Sequence, residues 1–342
     1  MHLNVLRSLK ELEPLAGEWN ELLQNSASHV PFLRHEYLTS WYKTLGGGEW
    51  SQGELYNITA RKDDGQLAGI APLFFTRNLE GEPALMLLGS IEISDYLDLI
   101  AAPEDLSAFV EACFEQLASD TGLGWQVLDW YNIPAGSPTL AALKRAAERC
   151  GWYFTEETQQ PCPVISLPGN WETYLAGIDK KQRHEIRRKI RRVETGPFPV
   201  RWYFVDDAGR LEAEIEDFLA LMAHDPDKRS FLTEAMRVQM RTAARAAFDA
   251  GWLQLAFLEI DGKKAAGYLN FDYNGTIWVY NSGLDPQFRE LSPGWVLLGY
   301  LLKWANENGR RAFDFMRGSE EYKYRFGAQN RYVVRATIHR QP

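Results

Sequence analysis

The segment Arg289-Glu290-Leu291-Ser292-Pro293-Gly294 puts a guanidinium, small residues and a helix start within six positions. A strand from Ile277 to Asn281 and a turn over Ser282-Gly283-Leu284-Asp285-Pro286 are expected ahead of it. An amphipathic helix is expected behind it, with Val296, Leu297, Tyr300, Leu301, Trp304 and Ala305 on one face and Gly309 just past its end. Pro293 suits the first helical turn because it has no N–H to lose. The first N–H groups of a helix lack intrahelical acceptors, and the helix dipole adds positive potential there. Such a start therefore attracts a phosphate or carboxylate. Arg289 adds charge, and Ser292 and Gly294 allow close approach. An ordinary helix cap accounts for the same residues without a ligand.

Other polar residues invite comparable readings. Arg317, Lys323 and Arg325 follow the short strand expected after Gly309, as a wall for phosphate or carboxylate groups or as solvated surface charge. Glu320 and Glu321 can pair with them or serve as a base. His224 opens a polar loop that runs to Arg229 and is a candidate substrate contact. His29 and His35 lack metal-ligand spacing, and no metal is expected. From Lys180 to Arg192 stand eight cations: Lys180, Lys181, Arg183, Arg187, Arg188, Lys189, Arg191 and Arg192. They are open to three readings: a solvated face, a contact for an anionic substrate or membrane surface, or a contact for a tRNA backbone. There is no G-x-S-x-G elbow, P-loop, Rossmann glycine pattern or metalloprotease helix.

The elements that must hold these residues repeat. In the first half, strand Leu55 to Arg61, the turn Asp64-Gly65 and a strand from Leu67 to Phe75 form a hairpin. In the second half, Leu253 to Ile260, Asp261-Gly262 and Ala265 to Tyr273 do the same. Each half then has a helix and a short strand carrying an acid, Asp129 in Gly124–Trp130 and Asp314 in Gly309–Phe315. We read the repeat as two similar halves, 1–160 and 161–342, joined by the polar run Glu156 to Pro163. A helix over Asn170–Glu194 carries the basic run on its outer faces. Further helices are expected over Ala208–Met222 and Thr233–Ala250.

Composition narrows the function classes. The chain has 342 residues, 45% hydrophobic and 24% charged, as in a two-domain soluble protein. A net charge of −9 argues against wholesale nucleic-acid binding, and DNA is not an expected partner. The apolar runs are too short for a membrane span, and the first ten residues lack a signal core. Three cysteines, Cys113, Cys150 and Cys162, fit buried thiols in a reducing compartment, and hence a cytoplasmic protein.

The order strand–hairpin–strand–loop–helix–strand–helix, with R-x-x-S-x-G before the helix, resembles the GNAT acyl-CoA N-acyltransferases. Arg289 and Gly294 match that superfamily's pyrophosphate loop, while Ser292 replaces its first glycine. The ending Phe313 to Gly327 and the run Lys180 to Arg188 resemble more narrowly the CelD/BcsL-type acetyltransferases of cellulose biosynthesis. Those are tandem-GNAT proteins related to the FemABX peptidyltransferases.

The resemblance implies an α/β fold of two GNAT-like domains, each a mixed, mostly antiparallel sheet flanked by helices. It implies an acyltransferase with acetyl-CoA or another acyl-CoA as co-substrate, held by Arg289, Ser292, Gly294 and Trp295. The acceptor it implies is an amine or hydroxyl of a small molecule or a glycan or cell-wall precursor. Tyr322 matches the tyrosine that protonates the leaving thiolate, with Tyr324 as the spare. Asp314 stands where the sheet opens, as a base or an orienter of the acceptor amine; its counterpart Asp129 favours a partly structural role. His224, Arg317, Lys323 and Arg325 are the expected substrate contacts.

The first half starts its matching helix with Ala102-Pro103-Glu104-Asp105, whose acids repel a phosphate, so no cofactor is expected there. Two alternatives remain open: a FemABX-type transferase using aminoacyl-tRNA, and a non-catalytic protein of exopolysaccharide assembly.

Overall fold

The computed structural model describes residues 1–340 as two compact units. One comprises Met1–Gln160 together with the chain from Tyr332, and the other comprises Pro161–Arg331. Each is a mixed α/β unit of mostly antiparallel strands flanked by helices. The chain passes from the first to the second inside a strand, Tyr153–Ser166, so the polar run at 156–163 is extended structure and not a loop. The carbonyls of Pro161 and Pro163 accept from the Gly318 and Phe315 N–H groups, so these prolines still serve as acceptors although they cannot donate.

In the first unit, one sheet joins His2–Leu6, Asn57–Arg61, Leu67–Ala71 and Ile100–Ala101, all antiparallel. The expected long strand to Phe75 is divided at Pro72. Leu73–Arg77 leaves for a second sheet with Pro83–Leu87, where Phe75 faces Glu54 of the short strand Glu54–Leu55. Proline has no N–H for the ladder, and the chain switches sheets there. Val127–Pro134 continues the second sheet, parallel to Pro83–Leu87 and antiparallel to residues 333–339. The buried Asp129 accepts from Arg335 Nε at 2.7 Å and from Asn78 Nδ2 at 3.1 Å. Its role in this unit is structural.

In the second unit we label the elements in chain order. Helices α1 (Trp171–Gly177) and α2 (Lys180–Glu194) replace the single helix expected over 170–194. Ile178 is extended, and Asp179 restarts the helix by accepting from the Lys181 and Gln182 N–H groups. Strand β1 (Val200–Phe204) is followed by α3 (Leu211–Met222), the short α4 (Pro226–Phe231) and α5 (Glu234–Asp249). Then come β2 (Leu253–Ile260), β3 (Lys263–Tyr273) and β4 (Thr276–Leu284). Helix α6 (Pro293–Glu307), β5 (Ala312–Asp314) and α7 (Glu321–Arg325) complete the set. The loop expected over His224–Arg229 thus contains α4, capped by the Asp225 carboxylate.

Strands β1 to β4 run antiparallel in order; β5 lies parallel to β4 and antiparallel to residues 164–166. The β2–β3 turn is the Asp261-Gly262 pair, both left-handed at φ 54° and 73°, as a two-residue hairpin with right-twisted strands requires. Alternate residues divide the two faces of the sheet. Tyr268 joins Ile186, Val193, Leu297 and Leu301 in the core under α2 and α6, while Gly267 meets Phe218 of α3. Among the cysteines, Cys113 and Cys162 are buried, whereas Cys150 is exposed.

Two tight positions in β4 and the loop after it yield tests. A Cβ at Gly283 would stand 2.6 Å from the Met222 backbone nitrogen, so β4 and α3 approach each other too closely for any side chain. Gly283→Ala should cost about 1–3 kcal/mol, read as a fall in urea midpoint at unchanged slope. Ser292 is left-handed at φ 53°, ψ 51°, a conformation glycine adopts without Cβ strain. Ser292→Gly should therefore raise stability by ~0.5–1 kcal/mol in the same measurement, and Ser292→Val should lower it.

Candidate active site

Along β4, pairing with β3 runs from Thr276 to Leu284, but pairing with β5 stops at Trp278 opposite Asp314. Beyond Trp278 the two parallel strands part, and residues 279–284 present an edge with no strand beside it. A shift in register at Leu269/Asn270 leaves Tyr280 as an extra residue on β4, a bulge that turns this edge locally. The expected turn at Ser282–Pro286 is therefore strand as far as Leu284. A single 3-10 stretch, Pro286–Leu291, then leads to Ser292 and α6.

A cavity of about 660 Å³ opens against this edge. It brings together six of the residues singled out from sequence: His224, Arg289, Ser292, Gly294, Trp295 and Tyr322. At its floor no side chain caps α6; the Ser292 carbonyl accepts from the Val296 N–H, and the hydroxyl stays out of the cap. Arg289 is exposed and has no carboxylate within 4 Å among the described residues. These features suit a diphosphate: open helix N–H groups beside an uncommitted guanidinium. The glycine at 294 answers to another constraint, because a Cβ there would lie 2.6 Å from Leu284 Cδ2. Trp295 packs at a tilt against Phe326, with ring centroids 4.6 Å apart and planes at 47°, and carries the Lys189 ammonium 4.1 Å above its own ring. Its indole Nε1 is buried without a partner.

Tyr322 enters the cavity from α7, its ring edge-on to Phe315. Burial, reinforced by the Glu320 charge, pushes its phenol well above the usual range, so it keeps its proton and can donate it in a hydrogen bond. Tyr268 shares this wall and is buried; burial, with a smaller effect from Tyr322, raises its phenol well above the usual range.

The remaining four predicted residues lie outside the lining. Asp314 is buried and accepts from the Met316 N–H at 2.7 Å, holding the left-handed Met316 at the end of β5. Lys323 is also buried; its ammonium donates to the carbonyls of Phe315, Arg317 and Gly318 and pairs with Glu320 at 2.8 Å. It ties down the turn after β5 and is spent on that task. Arg325 pairs with Glu321 on the surface, and Arg317 is part-buried in the same turn.

Three lining residues carry no sequence signal of their own. Lys228 lies within the polar loop from which His224 was chosen, yet it is the lysine that reaches the strand edge, donating to the Ser282 carbonyl at 2.6 Å. Burial lowers its pKa, while the nearby Asp225 and Glu320 charges oppose that shift. Lys189 is hidden in the basic run, and only its place on α2 above Trp295 distinguishes it. Tyr268 reads as one more apolar strand residue. The cleft is lined by three cations, Lys189, Lys228 and Arg289, against two acids, Asp225 and Asp285, so its balance is cationic.

Residues 180–324 match the acetyltransferase (GNAT) domain family, a span that takes in every residue lining this cavity. No curated protein matches the chain in sequence. Among solved structures, FemX aligns over 98% of this chain and 97% of its own, with a TM-score of 0.69 at 10% identity. L-PGS from Bacillus licheniformis aligns over 97% and 91%, with a TM-score of 0.54 at 12% identity. A tandem GNAT protein from the clavulanic acid biosynthesis pathway aligns over 100% and 99%, with a TM-score of 0.50 at 13% identity. At such identities the likeness is one of fold. Within the second unit, residues 180–324 thus match a GNAT-type acetyltransferase domain, in a chain whose fold is similar to that of FemX and of a tandem GNAT protein.

Proposed function

We propose that this protein transfers an acyl group, acetyl in the first instance, from coenzyme A to an amine or hydroxyl of a small-molecule or cell-envelope polysaccharide precursor. The reading places it in the cytoplasm, with the donor site in the second unit and none in the first. The observation that carries it is the cavity where β4 loses its neighbour, bounded by the uncapped start of α6 and the free Arg289. An extended thioester arm can lie along the edge 279–284 with its diphosphate at α6. In the first unit, the matching helix start at Pro103 carries Glu104 and Asp105, the latter paired with Lys62 at 2.7 Å, which disfavours a phosphate there. The resemblance of Phe313–Gly327 to the CelD/BcsL-type enzymes supports an acceptor of the exopolysaccharide or cellulose pathway.

In this reading the acceptor nitrogen or oxygen adds to the thioester carbonyl, and the carbon–sulfur bond then breaks. Tyr322 offers its O–H to the departing sulfur, and the proton shed by the acceptor restores the phenol, leaving an amide or ester and the free thiol. Lys228 sets a cation on the β4 edge toward Glu320, where it can hold an acid group of the acceptor. Asp314 and Lys323 act through the turn after β5, which they fix, and not by touching substrate.

A second reading, transfer from aminoacyl-tRNA, is favoured by the extent of the likeness to the FemX fold and by the basic face of α2. Calorimetry separates the two: acetyl-CoA should bind the wild-type chain, whereas indifference to acetyl-CoA with retention of charged tRNA would establish the second. Arg289→Glu should weaken acetyl-CoA binding roughly 10- to 100-fold by losing a charge-assisted contact and adding repulsion. An unchanged Kd removes the diphosphate site. Tyr322→Phe should lower kcat about 100-fold at little change in KM for acetyl-CoA, measured by thiol release. Equal turnover by the two proteins would exclude the tyrosine.

A further inference from the structure

Helix α2 carries the densest charge in the molecule, and the acyl-transfer reading leaves most of it unused. Eight cations against Glu185 and Glu194 give the helix +6, while the whole chain carries −9 and the remainder therefore −15. At 3.6 residues per turn, Lys180, Lys181, Arg187, Arg188, Arg191 and Arg192 fall in one sector of about 140°, opposite Ile186, Ile190 and Val193. The structure agrees: all six are exposed, whereas Ile186 and Val193 are buried. The stripe is about 18 Å long at the rise of an α-helix. Arg187 pairs with Glu172, and Arg188 with Glu185 at 2.8 Å, which neutralises its middle. Lys180, Lys181, Arg191 and Arg192 have no carboxylate within 4 Å among the described residues, and Glu194 is held by the Tyr300 hydroxyl at 3.0 Å. Both ends of the stripe are therefore without an ion pair among the described residues. The loop after the helix, Thr195 to Pro199, displays Phe198 with 49% of its surface exposed.

We infer that this face docks on an anionic lipid bilayer. The surface fits a broad anionic partner: an exposed row of lysines and arginines on the outer face of a helix, with no Phe, Tyr or Trp within the row to stack on bases. Each lysine or arginine near an anionic leaflet contributes to attraction, and an exposed phenylalanine beside such a row seats its ring among the headgroups. The acidic remainder does not prevent contact, since charges more than a Debye length from the leaflet are screened. With the helix's apolar face committed to the core, the association is peripheral, reversible and salt-sensitive. It does not depend on the acyl donor and stands or falls separately from the transferase reading.

Vesicle co-sedimentation of the full chain tests it. The wild type should pellet with phosphatidylcholine vesicles containing phosphatidylglycerol, not with phosphatidylcholine alone, and should be released by high salt. The variant K180Q/K181Q/R191Q/R192Q should lose about fivefold in partitioning per charge removed, hence roughly 10²- to 10³-fold in all. Phe198→Ser should weaken binding without altering the preference for phosphatidylglycerol. The four substituted side chains are exposed, so the variant should melt with the wild type, and a matching melting curve ties the loss to charge. Pelleting indifferent to phosphatidylglycerol, or unaltered in the quadruple variant, overturns the inference. So does displacement of the protein from vesicles onto a single-stranded RNA oligonucleotide at equal charge concentration.

Discussion

Two parallel strands that pair at one end and part at the other leave backbone groups that must find partners, and the rest of the second unit is arranged around that divergence. β4 has β3 along its whole length but β5 only as far as Trp278. A free edge inside a folded domain is costly unless water, a side chain or a ligand satisfies it. Lys228 takes one carbonyl, that of Ser282, and the cavity admits something else to the remainder. The bulge at Tyr280, the 3-10 stretch and the start of α6 follow in sequence from the same break. They bring a bent edge, a guanidinium and open helix N–H groups to one hollow.

The divergence has to be held apart, and the side chains that hold it do not face the hollow. Asp314 ties off the end of β5 through the Met316 N–H. Lys323, an ammonium with almost no exposure, gathers three carbonyls of the following turn. Such a buried cation is tolerable because its donors and its charge are all met, by carbonyls and by Glu320. Removing it would leave those carbonyls orphaned and the turn free to collapse toward β4. On the opposite side, Gly283 allows α3 to press against the β4 backbone, and Gly294 leaves room for Leu284. The hollow is thus framed by close packing on both flanks.

Much of this was legible in the residues. Asp261-Gly262 between apolar runs announces its hairpin, and the R-x-x-S-x-G run that includes Pro293 announces the loop and helix. Pro72 carried its own warning, since a strand that must pair on both sides cannot contain it. What the pattern could not convey was which polar residues turn inward. Lys323 sits among Glu, Tyr and Arg in a run that looks solvated, and only the return of the turn beneath it makes it buried. Lys228 belongs to a loop with five polar residues around Pro226, of which the one that reaches the strand edge is set by the phase of a six-residue helix capped by Asp225. The break at Ile178 likewise depends on Asp179 outcompeting helix continuation, a contest between a cap and a neighbouring glycine that periodicity alone does not resolve.

The strand at the end of the chain sets an order on the protein's own making. Residues 333–339 pair with Val127–Pro134, and Arg335 supplies the guanidinium that neutralises the buried Asp129. A ribosome releases those residues only after it has made the whole second unit, so the half that emerges first is the one completed last. Until then Asp129 lacks its counter-charge, and Val127–Pro134 lacks a neighbour on one side. During synthesis the later unit can fold while the earlier one waits, an exposed interval in which a chaperone would find its strand.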